Sequence, residues 1–512
     1  MFSLTMCFLF LPGIQREFRI FKIKPLNGAF EVPPIKKLNF QNYYNFSFQK
    51  SVEKNLEVSF GFKEPLIKIY NQYLWDFYQR YHTTQALIGE DDWFFPKWHL
   101  SAPKYSPELI EKFDQQALYL YQLSNILKEY NTQLLVCFVP SKFEIYREYV
   151  PNSVNTGEFY NFRAIDYFCD KFDASGVNYI NFTKMFYDMK EHAVFNPFSQ
   201  KGAHWSNIAS TYAADSIFKK FAALSGINMP KLKLSEPYIS KTRTPDRDLD
   251  LMFNLIRPLK SLPNYYVDVE VIEDSTTIHP KMTIIGDSHF WNVSYNVPLK
   301  QIFSEYPYWY YAKSIYFDKR YKDVDQVDIA EELISSDYIL ILYNAFQTYS
   351  MDSNIILEGI ITLCFDKENI NDVVETICNN IKSDQEWFNK VKQKAVQNNV
   401  SVEESLRNDA IYMIRRDPYK YFPQLNTLDI PTVRSKNNTV IYNSYYAKND
   451  TCSVISEEER ILQIINSMRK SEGWMNSLKE KAKTQGRSLE DVMRGDAKWV
   501  IRREEEKKQG KL

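Results

Sequence analysis

The tripeptide Gly286-Asp287-Ser288 follows an apolar run, Met282-Thr283-Ile284-Ile285, so its hydroxyl falls where a strand is expected to end. A serine hydroxyl is a poor nucleophile until a base within hydrogen-bond reach takes its proton. The chain holds 6 histidines. One of them, His204 in Gly202-Ala203-His204-Trp205-Ser206, lies in a loop just before an expected helix. Histidine is the usual general base near neutral pH. Ser288 as nucleophile and His204 as base therefore make a candidate acyl-transfer pair. In that reading Gly286 lets the backbone turn sharply and Asp287 supports the turn. A plainer reading stands beside it: Gly-Asp-Ser is a common tripeptide, and a histidine before a tryptophan can simply cap a helix or pack against the ring.

Two further groups follow from position. Asn344, closing the apolar run 338–343, can donate to an oxyanion or cap a turn. Tyr308, Trp309, Tyr310 and Tyr311 can stack on sugar rings or cover one edge of the domain. The 6 cysteines, Cys7, Cys137, Cys169, Cys364, Cys378 and Cys452, show no C-x-x-C spacing. They make neither a disulfide scaffold nor a zinc site, and no metal or cofactor is expected.

Elements must position these residues. At 512 residues the chain is too long for one ordinary core, so two or three domains are expected. Hydrophobic residues at 44% and charged residues at 25% are those of a folded soluble protein. A net charge of −1 provides no basic footprint for nucleic acid. Aromatic residues reach 16%, with 36 tyrosines against 14 glycines, which suits sugar-stacking clefts or ordinary core packing. The run 1–14 is almost wholly apolar and precedes Arg16, Arg19, Lys22 and Lys24. It is too short to span a bilayer and lacks a charged start, as an export-signal or anchor remnant would. The alternative is a short buried N-terminal element.

Helical periodicity predicts helices at about 64–81, 106–130 and 160–174, and another from Ser206; apolar runs predict strands at 133–139, 177–182, 282–285, 313–317 and 338–343. Strands alternating with helices predict an α/β fold with a mostly parallel sheet. Beyond it the chain repeats itself at a spacing of 87, which pairs Trp387 with Trp474, Ser401 with Ser488 and Asp409-Ala410 with Asp496-Ala497. Each copy, about 377–416 and 464–503, reads as a helical hairpin whose second helix is capped by Ser401 or Ser488. The expected organisation is a lead-in over 1–60, an α/β domain over 61–367 and a helical repeat region over 368–512.

From Pro25 to Asp366 the chain resembles the alginate O-acetyltransferase (SGNH hydrolase-like) family of exported polysaccharide-modifying proteins. The Gly286-Asp287-Ser288 and His204-Trp205 elements carry the resemblance. So do Pro25-Leu26-Asn27-Gly28, Gly61-Phe62-Lys63-Glu64-Pro65, Gly89-Glu90-Asp91-Asp92-Trp93 and Val139-Pro140-Ser141-Lys142, in that order along the chain. The resemblance implies an SGNH-like α/β/α sandwich with Ser288 as nucleophile and His204 as base. In that family an aspartate two residues before the histidine completes the set, and here that position is Gly202. Asp188 and Asp287 are candidate substitutes; otherwise a Ser-His dyad works alone or the site is inactive. The resemblance also places Lys142 and Tyr146 beside the cleft, where they and Trp205 could touch substrate; a solvated surface lysine is the alternative for Lys142.

Three functions remain open on these residues. The first is a serine-dependent O-acetyltransferase acting on an extracytoplasmic polysaccharide, with the acetyl donor supplied by a membrane-bound O-acyltransferase partner. The second is a carbohydrate acetylesterase with the same Ser-His site. The third is an inactive glycan-binding or scaffold protein, in which Gly202 marks a decayed triad.

Overall fold

The computed structural model describes residues 2–426 except for 29–31, 82–84, 102–105, 152–153, 155–163, 318–319, 352 and 399, together with 433–434, 440–441 and scattered positions between 465 and 498. Contacts divide the chain into two compact units, Met1–Ile441 and Tyr442–Leu512.

Helices α1 (Phe2–Phe18), α2 (Ser47–Val58) and α3 (Lys63–Tyr78) come first, with a short helical turn at Phe40–Tyr44 between α1 and α2. Neither α2 nor α3 buries a residue. The apolar start of the chain forms α1, a 17-residue helix with Pro12 inside it. Among its described side chains Phe10 and Phe18 are exposed and Gln15 is buried. Among the described residues no helix is long and apolar enough to cross a membrane.

The central α/β region follows: α4 (Pro107–Lys128), β1 (Gln133–Val139), α5 (Ala164–Ser175), β2 (Tyr179–Asn181), α6 (Thr183–His192) and α7 (Asn207–Ser225). After a long excursion come β3 (Met282–Gly286), α8 (Phe290–Asn296), β4 (Tyr308–Tyr310), β5 (Ser314–Phe317), β6 (Arg320–Asp323), β7 (Tyr338–Asn344) and α9 (Ser353–Cys364). Local chemistry starts α4 where the sequence predicts: the Ser106 hydroxyl accepts from Leu109 N at 3.2 Å, and Pro107 fills a first-turn position that needs no amide donor.

The seven strands lie in the order β6-β5-β4-β3-β7-β1-β2. β4, β3, β7, β1 and β2 are parallel, while β5 and β6 run antiparallel at one edge. The predicted α/β sandwich with a mostly parallel sheet is therefore present. Its layers follow from the two-residue period of a strand. Leu134, Val136, Phe138, Ile339, Ile341 and Tyr343 point to one face and pack with α4, α5 and α9. Leu135, Cys137, Val139, Leu340, Leu342 and Ile284 point to the other and pack with α7 and α8. Each fully buried Leu or Ile contributes about 1.5–3 kcal/mol, and every residue of β7 is buried. That is why 338–343 reads as unbroken apolar sequence.

Helices α10 (Lys367–Ser383), α11 (Gln385–Asn398) and α12 (Val402–Arg416) follow directly. Their Ile377, Ile381, Val391, Leu406 and Ala410 join the same apolar cluster as the sheet, so the first unit continues well past residue 367. Ser401 caps α12 through Glu404 N at 3.0 Å. Within this hairpin Lys394 reaches Asp409 at 2.9 Å, and Trp387 Nε1 donates to the same carboxylate at 3.0 Å. In the second unit Lys481 reaches Asp496 at 2.5 Å, the same pair one repeat later. Ala482, Met493 and Ala497 are buried there, as Ala395, Leu406 and Ala410 are in the first. The matched Asp-Ala pairs are packing and ion-pair positions of a helical hairpin.

The glycine that ends β3 is explained by crowding. Gly286 is not among the glycines with positive φ, so the turn does not depend on left-handed freedom as the sequence reading supposed. It pairs with Leu342 on β7, and a Cβ built on it would lie 2.4 Å from the Leu342 carbonyl oxygen. Backbone cannot yield as a flexible side chain can. Gly286→Ala is expected to destabilise the protein by roughly 1–3 kcal/mol, measured by urea denaturation. An unchanged midpoint would show that β3 and β7 separate freely.

Candidate active site

Ser288 stands just beyond the carboxyl end of β3, where open parallel sheets present ligands. The turn carrying it is braced by Asp287, whose side chain is about 1% exposed. Asp287 Oδ1 accepts from the His289 amide at 2.9 Å and from His289 Nδ1 at 3.0 Å; Oδ2 accepts from the Asn344 amide at 2.7 Å. The Tyr308 hydroxyl donates to the Asp287 carbonyl. Burial alone would raise the Asp287 carboxyl, but the His289 ring and these donors more than offset it and hold it below its ordinary value. The Asp287 carboxylate thus braces the turn, and the ring it bonds is that of His289 rather than His204.

His204 arrives from the other side. Gly202 and Ala203 lead into it, Trp205 pins it, and the Ser206 hydroxyl caps α7 through Ala209 N at 3.3 Å. His204 Nε2 lies 2.7 Å from Ser288 Oγ. Its Nδ1 lies 2.5 Å from Asp248 Oδ2. The His204 and Asp248 side chains are 22% and 21% exposed, so the pair borders solvent rather than lying sealed in the core. Burial pulls the His204 pKa down, but the Asp248 carboxylate, through charge and hydrogen bond, outweighs it with help from Asp287. The imidazole is therefore held above its ordinary value. An aspartate behind a histidine fixes its tautomer and stabilises its cation.

Asp248 is the residue that sequence reasoning missed. It lies 44 positions after His204, in a turn over Thr244–Leu251. Several contacts tie that turn to the histidine loop. Asp248 Oδ1 accepts from the Ala203 amide at 2.7 Å, the Ser199 hydroxyl donates to the Asp246 carbonyl at 2.7 Å, and Asp246 takes the Asn207 amide and side chain at 3.0 and 2.6 Å. Burial pushes the Asp246 carboxyl up to about 6. Leu249 and Phe253 anchor the turn in a small apolar cluster with Ala86, Phe94 and Ala203. The sequence does carry a signal: Pro245-Asp246-Arg247-Asp248-Leu249-Asp250 is an acid-rich run between α7 and β3. Nothing in it says which carboxylate faces His204.

Gly202 now has a reason of its own. A Cβ there would meet Ser199 Oγ at 2.4 Å and the Pro245 carbonyl oxygen at 3.0 Å. The glycine makes room for the turn that delivers Asp248. The inactive-scaffold reading needed a missing carboxylate, and one is present.

The expected substrate contacts are corrected by burial. Lys142 is buried, and its ammonium donates to the carbonyls of Ser199, Gln200 and Gly202 at 2.7, 3.1 and 2.7 Å. All three protons are used in clamping the loop that leads to His204, and burial pulls its pKa well down. Tyr146 is buried against Trp93, and its hydroxyl donates to Asn196 Oδ1 at 3.1 Å. Trp205 is fully buried, with Nε1 donating to the His289 carbonyl at 2.9 Å. None of the three offers a surface to a sugar. Asn344 caps the next turn through Phe346 N at 3.0 Å and donates to the Pro140 carbonyl at 3.1 Å. Its role is turn support rather than oxyanion binding. Tyr308 and Trp309 are buried and cover the sheet instead of facing a cleft.

Two other histidines surround the pair. His289, with ring centroid 4.8 Å from that of His204, has its pKa lowered by burial despite Asp287. His99, buried and stacked on Phe346 at 4.8 Å, is pushed well down by burial and by His289 and His204. Neutral neighbours spare the His204 cation a repulsion. Among the described residues no group of three or more His, Cys, Asp or Glu side chains is placed to hold a metal ion.

Residues 86–290 match the model of a protein family described as the SGNH hydrolase-like domain of the acetyltransferase AlgX. The matched segment contains Asp248, His204 and Ser288 and lies inside the span of the resemblance read from the sequence. No curated protein sequence matches the chain. Among solved structures, the O-acetyltransferase domain of Pseudomonas putida AlgJ is similar at 15% identity and a TM-score of 0.37, covering 54% of this chain and 99% of that one. Pseudomonas aeruginosa AlgX is similar at 13% identity and 0.35, covering 56% and 71%. Bacillus cereus PatB1 is similar at 14% identity and 0.35, covering 53% and 98%.

The packing at Gly202 predicts that restoring an aspartate there does harm. Gly202→Asp should lower the melting temperature and should not rescue an Asp248→Ala variant. Rescue of acyl transfer by the double substitution would show that the carboxylate can come from either loop.

Proposed function

We propose that the protein is a serine-dependent O-acetyltransferase that acts on an extracytoplasmic polysaccharide through an acetyl-Ser288 intermediate. The observation that carries this reading is the unbroken chain from Asp248 through His204 to Ser288 at 2.5 and 2.7 Å. The family match over 86–290 supports acetyl transfer as the chemistry. A membrane-bound O-acyltransferase as the source of acetyl groups is part of the same reading, as is an exported location.

The steps follow from the geometry. Ser288 Oγ attacks the acetyl carbonyl carbon of the donor while His204 Nε2 takes the hydroxyl proton. The carbonyl electron pair moves to oxygen, giving a tetrahedral oxyanion. Collapse breaks the bond to the donor oxygen, which leaves with the proton from His204, and the acetyl group stays on Ser288. His204 then takes the proton of an acceptor sugar hydroxyl, whose oxygen attacks the ester carbonyl. The second collapse restores Ser288, which recovers its proton from His204. Asp248 holds Nδ1 throughout and stabilises the imidazolium formed in each half.

Incubation with an activated acetyl ester should place one acetyl group on Ser288, seen by mass spectrometry of the digested protein, and Ser288→Ala should abolish it. Recovery of the unaltered protein without any acyl-serine would refute the reading. The titration of His204 makes a separate prediction. Only the neutral imidazole can accept the serine proton, so acylation should fall as pH drops through a His204 pKa that lies above the ordinary histidine value. Asp248→Asn removes the charge that raises it. That variant should lose about 10²–10⁴-fold in acylation rate, with the acid limb of its pH profile moved to lower pH. An unmoved limb would mean that another group controls it.

A further inference from the structure

Helix α8 begins two residues after Ser288, and its buried side chains are Phe290, Asn292 and Val293. Trp291 and Tyr295, four apart, share a second face of it. Trp291 is half-buried and Tyr295 is 67% exposed. Their rings are close to parallel, at 20° to each other with centroids 6.1 Å apart.

This face is tied to the nucleophile. The Trp291 amide donates to the Ser288 carbonyl at 3.2 Å. The Trp291 ring meets Tyr308 edge-on at 4.9 Å, and the Tyr308 hydroxyl donates to the Asp287 carbonyl. Tyr316 on β5 meets the same ring edge-on, also at 4.9 Å. Tyr310 lies 5.8 Å from Trp291 and pairs with Gly286 across the sheet, at the strand end that leads to Ser288. Tyr311 comes next, 4.6 Å from Tyr310, with its amide donating to the Gly286 carbonyl at 2.8 Å. Tyr310 and Tyr311 are both half-buried. A strip of aromatic rings thus runs from the surface of α8 to the sheet end beside the nucleophile. The turn that closes it is strained: Tyr311 and Ala312 have φ of 48° and 50°, which Asn and Gly adopt more easily. Such strain persists where the surroundings over-determine it, and it clusters at functional sites.

Rings left half in water beside a reactive serine mark a place where a ligand covers them. A pyranose with equatorial substituents has flat C–H faces and a rim of hydroxyls. Its faces cover an aromatic ring while its hydroxyls stay hydrated or meet phenol tips. We propose that Tyr295, Trp291 and Tyr310 form the subsite for the acceptor glycan, an extended chain of equatorially linked pyranoses that lies along the strip and brings one hydroxyl to acetyl-Ser288. The two near-parallel rings of α8 suit two neighbouring sugars of that chain. Trp291 is already held edge-on by Tyr308 and Tyr316, so the platform stands before the sugar arrives and little has to be ordered on binding.

This subsite deepens the reading of Ser288 as the acylated residue, and the test separates the two. The protein is acetylated with p-nitrophenyl acetate in the presence of cellohexaose, xylohexaose or chitohexaose, and acetylated sugar is measured against free acetate. Tyr295→Ala should lower that ratio roughly 3- to 10-fold for the accepted hexaose, and Tyr295→Phe should restore it. The ratio compares two fates of one acyl-enzyme, so a change in the rate of acylation does not move it. Calorimetry on Ser288→Ala protein should show binding of the same hexaose, weakened by Tyr295→Ala. A ratio and an affinity that Tyr295→Ala leaves alone overturn the subsite, as does failure of all three hexaoses to bind. A dimer that Tyr295→Ala separates overturns it too, by making the strip a contact between copies of this chain. Absence of acetyl-Ser288 with hexaose binding that depends on Tyr295 overturns the acyl-serine reading and supports the subsite.

Discussion

The packing of the Thr244–Leu251 turn onto Gly202 is the constraint from which the site follows. Because no side chain stands at position 202, the Pro245 and Asp246 backbone can approach the histidine loop. The Ser199 hydroxyl, the Ala203 amide and Asn207 then close over it. Once the turn is seated, Asp248 is delivered to His204 Nδ1 without further adjustment. The Lys142 ammonium holds the same loop from beneath by three carbonyls, so the loop is fixed from both sides. A buried lysine satisfied by carbonyls alone is unusual, because burial penalises its charge. Here Lys142 Nζ ties the loop that carries His204 to three backbone carbonyls.

Electrostatics at the site separate one histidine from the others. His204 is raised because Asp248 outweighs burial, whereas His289 and His99 are lowered because burial prevails. His289 also has a carboxylate, Asp287, but that carboxylate is shared with the Asn344 and His289 amides. The result is one histidine ready to take a proton next to two that stay neutral. A second cation within 5 Å of the His204 ring would oppose its protonated form.

Much of the architecture was legible in order along the chain. The strands at 133–139, 282–285 and 338–343 and the helix from Ser106 follow from apolar runs and a serine cap, which are local properties. The 87-residue repeat was legible as well, and its recurring Lys-Asp pair shows that equal residues make equal contacts. The domain boundary was not. Helices α10–α12 look separate in sequence because they are amphipathic and follow the last strand. Their apolar faces nevertheless join the cluster beneath the sheet, and only the partner surface could reveal that.

The sequence by itself pointed to the fold class and marked Ser288 and His204 as candidates, because an apolar run before Gly286 and a loop before a helix are local signals; the fold closes the 84 positions between the two side chains. Tertiary structure alone decided which carboxylate serves His204, since Asp248 is brought in by contacts across 44 positions. It alone showed that Lys142, Tyr146 and Trp205 are buried supports rather than substrate contacts, because residue type does not reveal whether a polar tip meets solvent or a carbonyl. Chemistry close in sequence can be read from sequence; chemistry assembled by a fold requires knowing which surfaces meet.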